Sequence, residues 1–215
     1  MIPFTLSEWL PNLLAVLSIF TIGVASPGPA TLMIVGTAMG HGRSQAVALS
    51  IGVVAGSMVW AAVAAAGFVA ALETSATLFT ALRLVGGLYL LVLAVKALRS
   101  ALGVEPKAAV RSAGESGLRR CFLQGLLLHL SNPKAPLVWL ATLSVGVGEA
   151  APPAFLTVAI LLCAVTATAV FVGYAFLFST PAVSRAYLAA RRPVDATIGV
   201  LFGAAAVKVL TYRPS

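Results

Sequence analysis

The chain has 215 residues, of which 60% are apolar and only 9% are charged, whereas an ordinary soluble domain carries about 25% charged residues. With a mean hydropathy of +1.02, this composition excludes a soluble enzyme, a disordered chain and a nucleic-acid-binding domain, and it indicates a polytopic membrane protein. Six spans of about 20 residues would leave short loops and no separate catalytic domain.

Charges and prolines divide the apolar sequence into six predicted membrane-spanning helices. The first span begins near Trp9 or Pro11 and is interrupted at Pro27-Gly28-Pro29; the fourth is interrupted at Asn132-Pro133-Lys134. No lysine or arginine precedes the first apolar run, so we expect an uncleaved first span rather than a secretory signal. We expect the spans at about 9–40, 45–72, 80–98, 121–147, 153–178 and 194–210, with a polar segment at 99–120.

Basic residues are distributed unevenly between the predicted loops. Ten lie at the first, third and fifth loops and three on the other side. Because cytoplasmic loops carry the excess of lysine and arginine, we expect these three loops in the cytoplasm and both termini outside it. The net charge of +8 then needs no nucleic-acid partner. The ten are Arg43, Lys96, Arg99, Lys107, Arg111, Arg119, Arg120, Arg185, Arg191 and Arg192.

The chain carries an internal repeat. The third span ends with residues 94–98, AVKAL, and the sixth with residues 206–210, AVKVL, 112 positions later. The breaks in the first and fourth spans lie 105 positions apart. A second copy of three spans must enter from the opposite side, which predicts an all-α transporter architecture of two inverted repeats in one membrane domain, residues 1–105 and 106–215.

The two proline breaks are the first candidate binding site. Proline removes a helical hydrogen bond, and in a membrane non-helical backbone survives only inside protein or along a wet cavity. A half-helix that starts after a break also presents unpaired N–H groups that attract anions. We therefore expect the breaks to face each other and bind substrate, although a purely structural kink is the alternative. The residues concerned are Ser26, Pro27, Gly28, Pro29, Asn132, Pro133 and Lys134.

Lys134 is the most informative charge in the chain, because it lies deep in an apolar run with no acidic residue near it in sequence. A charge at that depth costs about 2.5–3.5 kcal/mol on insertion scales. It should face a wet cavity, a substrate carboxylate or helix-end carbonyls, with snorkelling toward the outer interface as the alternative. His129, one turn earlier, is a candidate proton relay or a neutral histidine bonded to backbone. Gly52 and Gly56 are spaced for close helix packing.

These motifs resemble those of the LysE/RhtB family of amino-acid exporters. The resemblance implies six spans in the bacterial inner membrane and export of amino acids or related metabolites, driven by the proton gradient. Lys134 and His129, singled out above on their own chemistry, are the candidate residues for such coupling. Ser57 stands where many members of that family carry an acidic or other polar residue. The resemblance rests on Ser26-Pro27-Gly28-Pro29, His41-Gly42-Arg43, Gly52, Gly56, Gly87, Tyr89-Leu90, Asn132-Pro133-Lys134, Gly173-Tyr174 and Gly199.

The leading hypothesis is thus a secondary exporter of an amino acid or similar zwitterion, not an enzyme. A metal-ion exporter of the same superfamily is the alternative, but two separated histidines give no ligand cluster. A thiol-relay oxidoreductase is less favoured, because Cys121 and Cys163 do not stand at the breaks. We expect no cofactor, no metal site and no nucleic-acid partner; the partners are a small-molecule substrate and the lipid bilayer, and a homodimer is left open.

Overall fold

A computed structural model describes residues 6–74, 76–103, 117–146 and 153–211, and every regular element within them is a helix. Most of the predicted 99–120 segment and the predicted fourth loop lie outside these residues. The eight helices are α1 (Leu6–Ala25), α2 (Pro29–His41), α3 (Arg43–Thr74), α4 (Ala76–Ala101), α5 (Leu118–Leu130), α6 (Lys134–Gly146), α7 (Pro153–Leu177) and α8 (Pro181–Thr211).

The predicted breaks are real helix ends. Helix α1 stops at Ala25, and α2 starts with Pro29 at its first position, where the missing N–H costs nothing. Between them Gly28 is fully extended, with φ −166° and ψ 176°, and the two helix axes are bent by 54°. The second break separates α5 from α6 at residues 131–133. The sequence prediction of two interrupted helices is therefore confirmed.

Several helices of the chain are long and apolar enough to cross a membrane. Within the described residues, Arg43–Gly67 and Ala154–Leu177 are each long and apolar enough to cross a membrane. The bent pair formed by Trp9–Ala25 and Pro29–His41 meets the same requirement when taken together. The protein is thus an all-helical membrane protein.

The segment that was predicted as the fifth loop is mostly helical. Helix α8 begins at Pro181, about thirteen residues before the predicted start, and only three residues separate it from α7. Arg185 and Arg192 are therefore exposed helical residues rather than loop residues. The segment before Pro193 is rich in alanine, leucine and arginine, which favour helix, so the arginines do not mark the helix end.

Helices α2 and α3 are joined by one residue, Gly42. Its φ of +88° lies in the region that side chains other than glycine rarely adopt. The link therefore depends on glycine, and it lets α3 start at Arg43, close to the predicted boundary.

Glycines determine how closely α3 and α5 cross. A Cβ on Gly52 would lie 1.9 Å from the Phe122 carbonyl oxygen, and one on Gly125 would lie 2.1 Å from the Leu49 carbonyl oxygen. A Cβ on Gly56 would lie 3.0 Å from the Cβ of His129. The prediction that Gly52 and Gly56 lie at close helix contacts is confirmed, and the crossing fixes α5, the helix that carries His129, against the centre of α3.

Candidate functional site

The carbonyls that the prolines leave without helical donors have replacement donors. The Gly23 oxygen would accept the absent N–H of Pro27, and it accepts the Ser26 hydroxyl at 2.8 Å instead. The Ala25 oxygen, whose helical donor would be Pro29, accepts the hydroxyl of Tyr174 on α7 at 2.9 Å. The first break is therefore held open by specific bonds rather than frayed.

The second break is satisfied in the same way. The His129 carbonyl would accept from Pro133, and it accepts the Asn132 N–H at 3.2 Å and the Trp60 indole N–H at 3.3 Å. The side-chain oxygen of Asn132 in turn accepts the N–H of Lys134, the first residue of α6, at 3.1 Å. Asn132 therefore caps the start of α6, a role that its position next to the break did not specify.

The start of α2, by contrast, has no cap. Its first intrahelical bond runs from the Leu32 N–H to the Gly28 oxygen, and no side chain caps the helix. In the described structure, the N–H groups of Ala30 and Thr31 have no backbone acceptor. Both residues line the cavity described next. The two half-helix starts are thus unequal: one is satisfied internally, and the other leaves two N–H groups without a backbone acceptor or side-chain cap in the described structure.

The Lys134 side chain crosses from the second break to the first. Its ammonium donates to the Ser26 carbonyl oxygen at 2.9 Å and to the Ser26 hydroxyl oxygen. Gly28 makes room for it, because a Cβ there would lie 3.2 Å from the Lys134 nitrogen. The lysine therefore turns into the protein toward the other break, in agreement with the cavity interpretation and not with snorkelling.

A cavity that is partly open to the outside lies between the two breaks. Helix starts and hydroxyls form its polar part, and aromatic and aliphatic side chains form the rest. Its only charged side chain among the described residues is Lys134. The lining comprises Phe20, Gly23, Val24, Gly28, Ala30, Thr31, Ser57, His129, Asn132, Lys134, Ala135, Val138, Trp139 and Phe171.

His129 is buried at the cavity wall, with 6% of its surface exposed. Its ring meets the edge of Phe171 at a centroid distance of 6.3 Å. Among the described residues, nothing hydrogen-bonds its Nδ1. This nitrogen therefore makes no bond to the backbone in the described structure, whereas the carbonyl of His129 takes part in the break.

The structure brings together only part of the predicted binding set. Gly28, Asn132 and Lys134 line the cavity, and Ser26 is buried beneath the lysine ammonium. The three prolines are not among the lining residues: Pro27 is half-buried, whereas Pro29 and Pro133 are exposed. Their part is to create the breaks.

Several side chains of the cavity, Thr31, Ser57, Trp139 and Phe171 among them, were not part of the predicted binding set. Thr31 lies one turn beyond the first break, so its position was available from helix geometry. Ser57, Trp139 and Phe171 come from three different helices, and the Trp139 indole donates to the Ser57 hydroxyl at 3.0 Å. Only packing of α3, α6 and α7 brings them to one wall.

The residues that the alternative hypotheses require lie elsewhere. Cys121 and Cys163 are buried, unbridged and outside the cavity lining. Within the described ranges, no group of three or more histidine, cysteine, aspartate or glutamate side chains is placed to hold a metal ion. Neither observation favours metal export or a thiol relay over transport of a small molecule through the site at the two breaks.

Membrane-crossing helices and a cavity with a cationic side chain between two helix breaks, as the described part of the chain shows them, are features of a small-molecule transporter. The family model for LysE type translocators matches residues 21–213. The chain therefore belongs to this family, which confirms the resemblance of its motifs.

Characterised relatives cover nearly the whole chain. It is 33% identical over 195 residues to a threonine efflux protein of Salmonella typhimurium, covering 89% of this chain and 94% of the relative. It is 32% identical over 203 residues to a threonine efflux protein of Escherichia coli K12, covering 93% and 98%. A leucine efflux protein of Salmonella choleraesuis is 28% identical over 194 residues, covering 88% and 90%. No solved structure matches the chain significantly.

Proposed function

We propose that this protein is a secondary transporter that exports an amino acid, or a similar small zwitterion, across the bacterial inner membrane. Its relatives named for threonine and leucine efflux support the substrate class. The observation that carries the proposal is the cavity at the two breaks, where the Lys134 ammonium and the open start of α2 converge. Both are features that attract a carboxylate.

The zwitterion binds with its carboxylate toward the N–H groups of Ala30 and Thr31 and toward Lys134. Each of these groups donates, and a carboxylate only accepts. The amino group lies toward the carbonyl and hydroxyl oxygens of Ser26, which also accept from Lys134. Asn132 holds the start of α6 in place, and its amide nitrogen is a further donor in this region.

Six spans in two inverted repeats are the architecture that we propose for this transporter. Residues 1–105 and 106–215 each then contain a broken helix followed by two further helices. Packing of α3 against α7 and of α4 against α8 supports a pseudo-two-fold axis, because each helix meets its own counterpart. With the odd-numbered loops cytoplasmic, both termini are extracytoplasmic.

Coupling to the proton gradient completes the proposal. Lys134 and His129 are the titratable side chains that line the described cavity. Both therefore stand where protonation and substrate binding can influence each other.

Amino-acid efflux from expressing cells tests the proposed function. Cells that overexpress the protein are loaded with each proteinogenic amino acid in turn, and export is compared with that of vector-only cells, with and without a protonophore. We expect faster export of some amino acids, which collapses when the gradient is removed. Export of divalent metal ions alone, or loss of export in a Cys121→Ser/Cys163→Ser double variant, would instead support the two alternatives.

A further inference from the structure

One wall of the cavity continues as a column of aromatic side chains toward the end of α7. Phe171 lines the cavity, and Tyr174 and Phe178 follow it by about one and two turns on the same face of the helix. The rings of Tyr174 and Phe178 are 5.6 Å apart, and the Tyr187 ring of α8 meets Phe178 at 4.8 Å. The column therefore leads from the cavity to the junction of α7 and α8, where Tyr187 forms its end.

The part of α8 that carries Tyr187, residues 181–192, is here named the α8 lid, and it is attached through few side chains. Among the side chains that the structure describes between Pro181 and Arg192, only Val183 and Tyr187 are partly buried, and the others are exposed. Val183 and Tyr187 pack against the central cluster of buried apolar side chains. A segment with so few buried contacts opens at a lower free energy than the rest of a protein.

The remainder of α8 is anchored to α4. Asp195 is buried and accepts the Ser100 hydroxyl at 2.6 Å, and a Cβ on Gly199 would lie 2.7 Å from the Leu98 side chain. Pro193 separates this anchored part from the α8 lid, and it has no N–H to donate to the carbonyl four residues earlier. A helix bends most readily where such a bond is missing, so Pro193 is placed as a hinge.

We propose that the α8 lid is a gate at this end of the cavity, closed when Tyr187 packs against Phe178 and opened by a swing about Pro193. This inference rests on the proposed export function. In the proposed orientation α7 ends on the cytoplasmic side, so the gate controls the entry of substrate from the cytoplasm. Tyr174, whose hydroxyl bonds the Ala25 carbonyl at the first break, lies between the gate and the binding site.

A reversible cross-link tests the gate. Phe178→Cys/Tyr187→Cys places two thiols at the contact, in a Cys121→Ser/Cys163→Ser background, and a short bis-methanethiosulfonate joins them until a reducing agent is added. The purified full chain is reconstituted into proteoliposomes loaded with radiolabelled threonine and leucine, the amino acids that name two relatives. We expect bridging to lower efflux to the rate of protein-free vesicles, and reduction to restore it. Methyl methanethiosulfonate, which modifies both thiols without joining them, is the matched control and should inhibit much less.

A second variant tests the hinge without changing the aromatic contact. Pro193→Ala restores the missing helical hydrogen bond and stiffens α8 between its anchored part and the α8 lid. The maximal efflux rate should therefore fall severalfold, whereas the substrate concentration that gives half-maximal efflux should change little, because the binding cavity is untouched. Pro11→Ala is the matched control, since Pro11 is also an exposed proline inside a helix, α1, and it should keep the wild-type rate.

The outcomes separate this inference from the proposed function. Unchanged efflux from the bridged double variant overturns the gate and leaves amino-acid export standing, and so does equal inhibition by the two reagents. If the double variant exports nothing even before bridging, the hinge decides: a larger loss in Pro193→Ala than in Pro11→Ala supports the gate, and equal rates overturn it. If the wild-type chain releases no proteinogenic amino acid faster than protein-free vesicles, the proposed function itself fails.

Discussion

The ammonium of Lys134 lies 2.9 Å from the carbonyl oxygen of Ser26, although the two residues are 108 positions apart in the chain. One side chain thereby links the break in the first half to the break in the second. A substrate carboxylate that enters the cavity competes for the same ammonium, so binding and the contact between the two halves are energetically connected.

Replacing this cation should remove transport without removing the protein. In Lys134→Ala we expect export to fall roughly tenfold to a hundredfold, because a charge-assisted hydrogen bond to the carboxylate is lost. Efflux rate is measured against membrane level by immunoblot. Lys96→Ala is the matched control, since Lys96 is exposed on α4 and outside the cavity lining. Wild-type export by Lys134→Ala would place the substrate site elsewhere.

Arginine should substitute poorly for Lys134. The ammonium reaches two oxygens of Ser26 through a gap that Gly28 leaves open, and a planar guanidinium is larger and directs its donors differently. Lys134→Arg should therefore recover only a small part of the wild-type efflux rate, in the assay used for the alanine variant. Full recovery would mean that position 134 requires only a positive charge.

The α3–α5 crossing predicts a sharp contrast between two glycines of the same helix. Gly52→Ala would put a Cβ 1.9 Å from the Phe122 oxygen and force α5 away, whereas a Cβ on Gly67 would have no described atom within 4 Å. Overpacking of this kind costs about 1–3 kcal/mol. Thermal unfolding of the detergent-purified variants should show a clear loss for Gly52→Ala and little change for Gly67→Ala. Equal stabilities would contradict the crossing.

The sequence was sufficient to predict the breaks and the close glycine contacts because both follow from the backbone. A proline lacks the N–H that the helix needs, and two prolines around Gly28 therefore predict an interruption without knowledge of the fold. Proline alone does not define a helix end, because Pro193 lies inside α8. The start of α8 could not be predicted in the same way. Arg185 and Arg192 lower the hydropathy of that segment, but they do not lower its helix propensity. Low hydropathy alone therefore does not show whether a segment is a loop or a helix that carries charged residues.

The candidate site was predicted only where local chemistry specifies it. A lone charge in an apolar run needs a partner, which made Lys134 predictable as a site residue, yet its partner, Ser26, is fixed by tertiary packing. The function of Asn132 as a cap on α6, and the wall formed by Ser57 and Trp139, depend on side-chain directions that no sequence period encodes.

The proposed orientation can be measured with topology reporters. Periplasm-specific reporters fused after Gly148 and at the C-terminus should be active, because the positive-inside rule places both points outside the cytoplasm. Fusions after Gly42 and after Lys107 are the controls and should be inactive. An inactive C-terminal fusion, with a cytoplasmic reporter active in its place, would contradict both the orientation and the division into two three-span inverted repeats.

Tyr174→Phe should weaken the first break specifically. The lost hydroxyl is the donor to the Ala25 carbonyl, whose helical donor is absent because residue 29 is proline. Leaving that oxygen unpaired should cost about 1–3 kcal/mol of stability and slow efflux, since the α1–α2 break also shapes the cavity.

Ser50→Ala is the matched control: Ser50 also donates from one helix to a carbonyl of α7, that of Phe171, at 2.9 Å. The helical donor of the Phe171 carbonyl is the N–H of Ala175, and the Ser50→Ala variant keeps it. The Phe171 carbonyl oxygen therefore retains a hydrogen-bond donor in the variant. Thermal unfolding and efflux of both variants should therefore show the larger loss in Tyr174→Phe; an equal or smaller loss would mean that the tyrosine hydroxyl does not support the break.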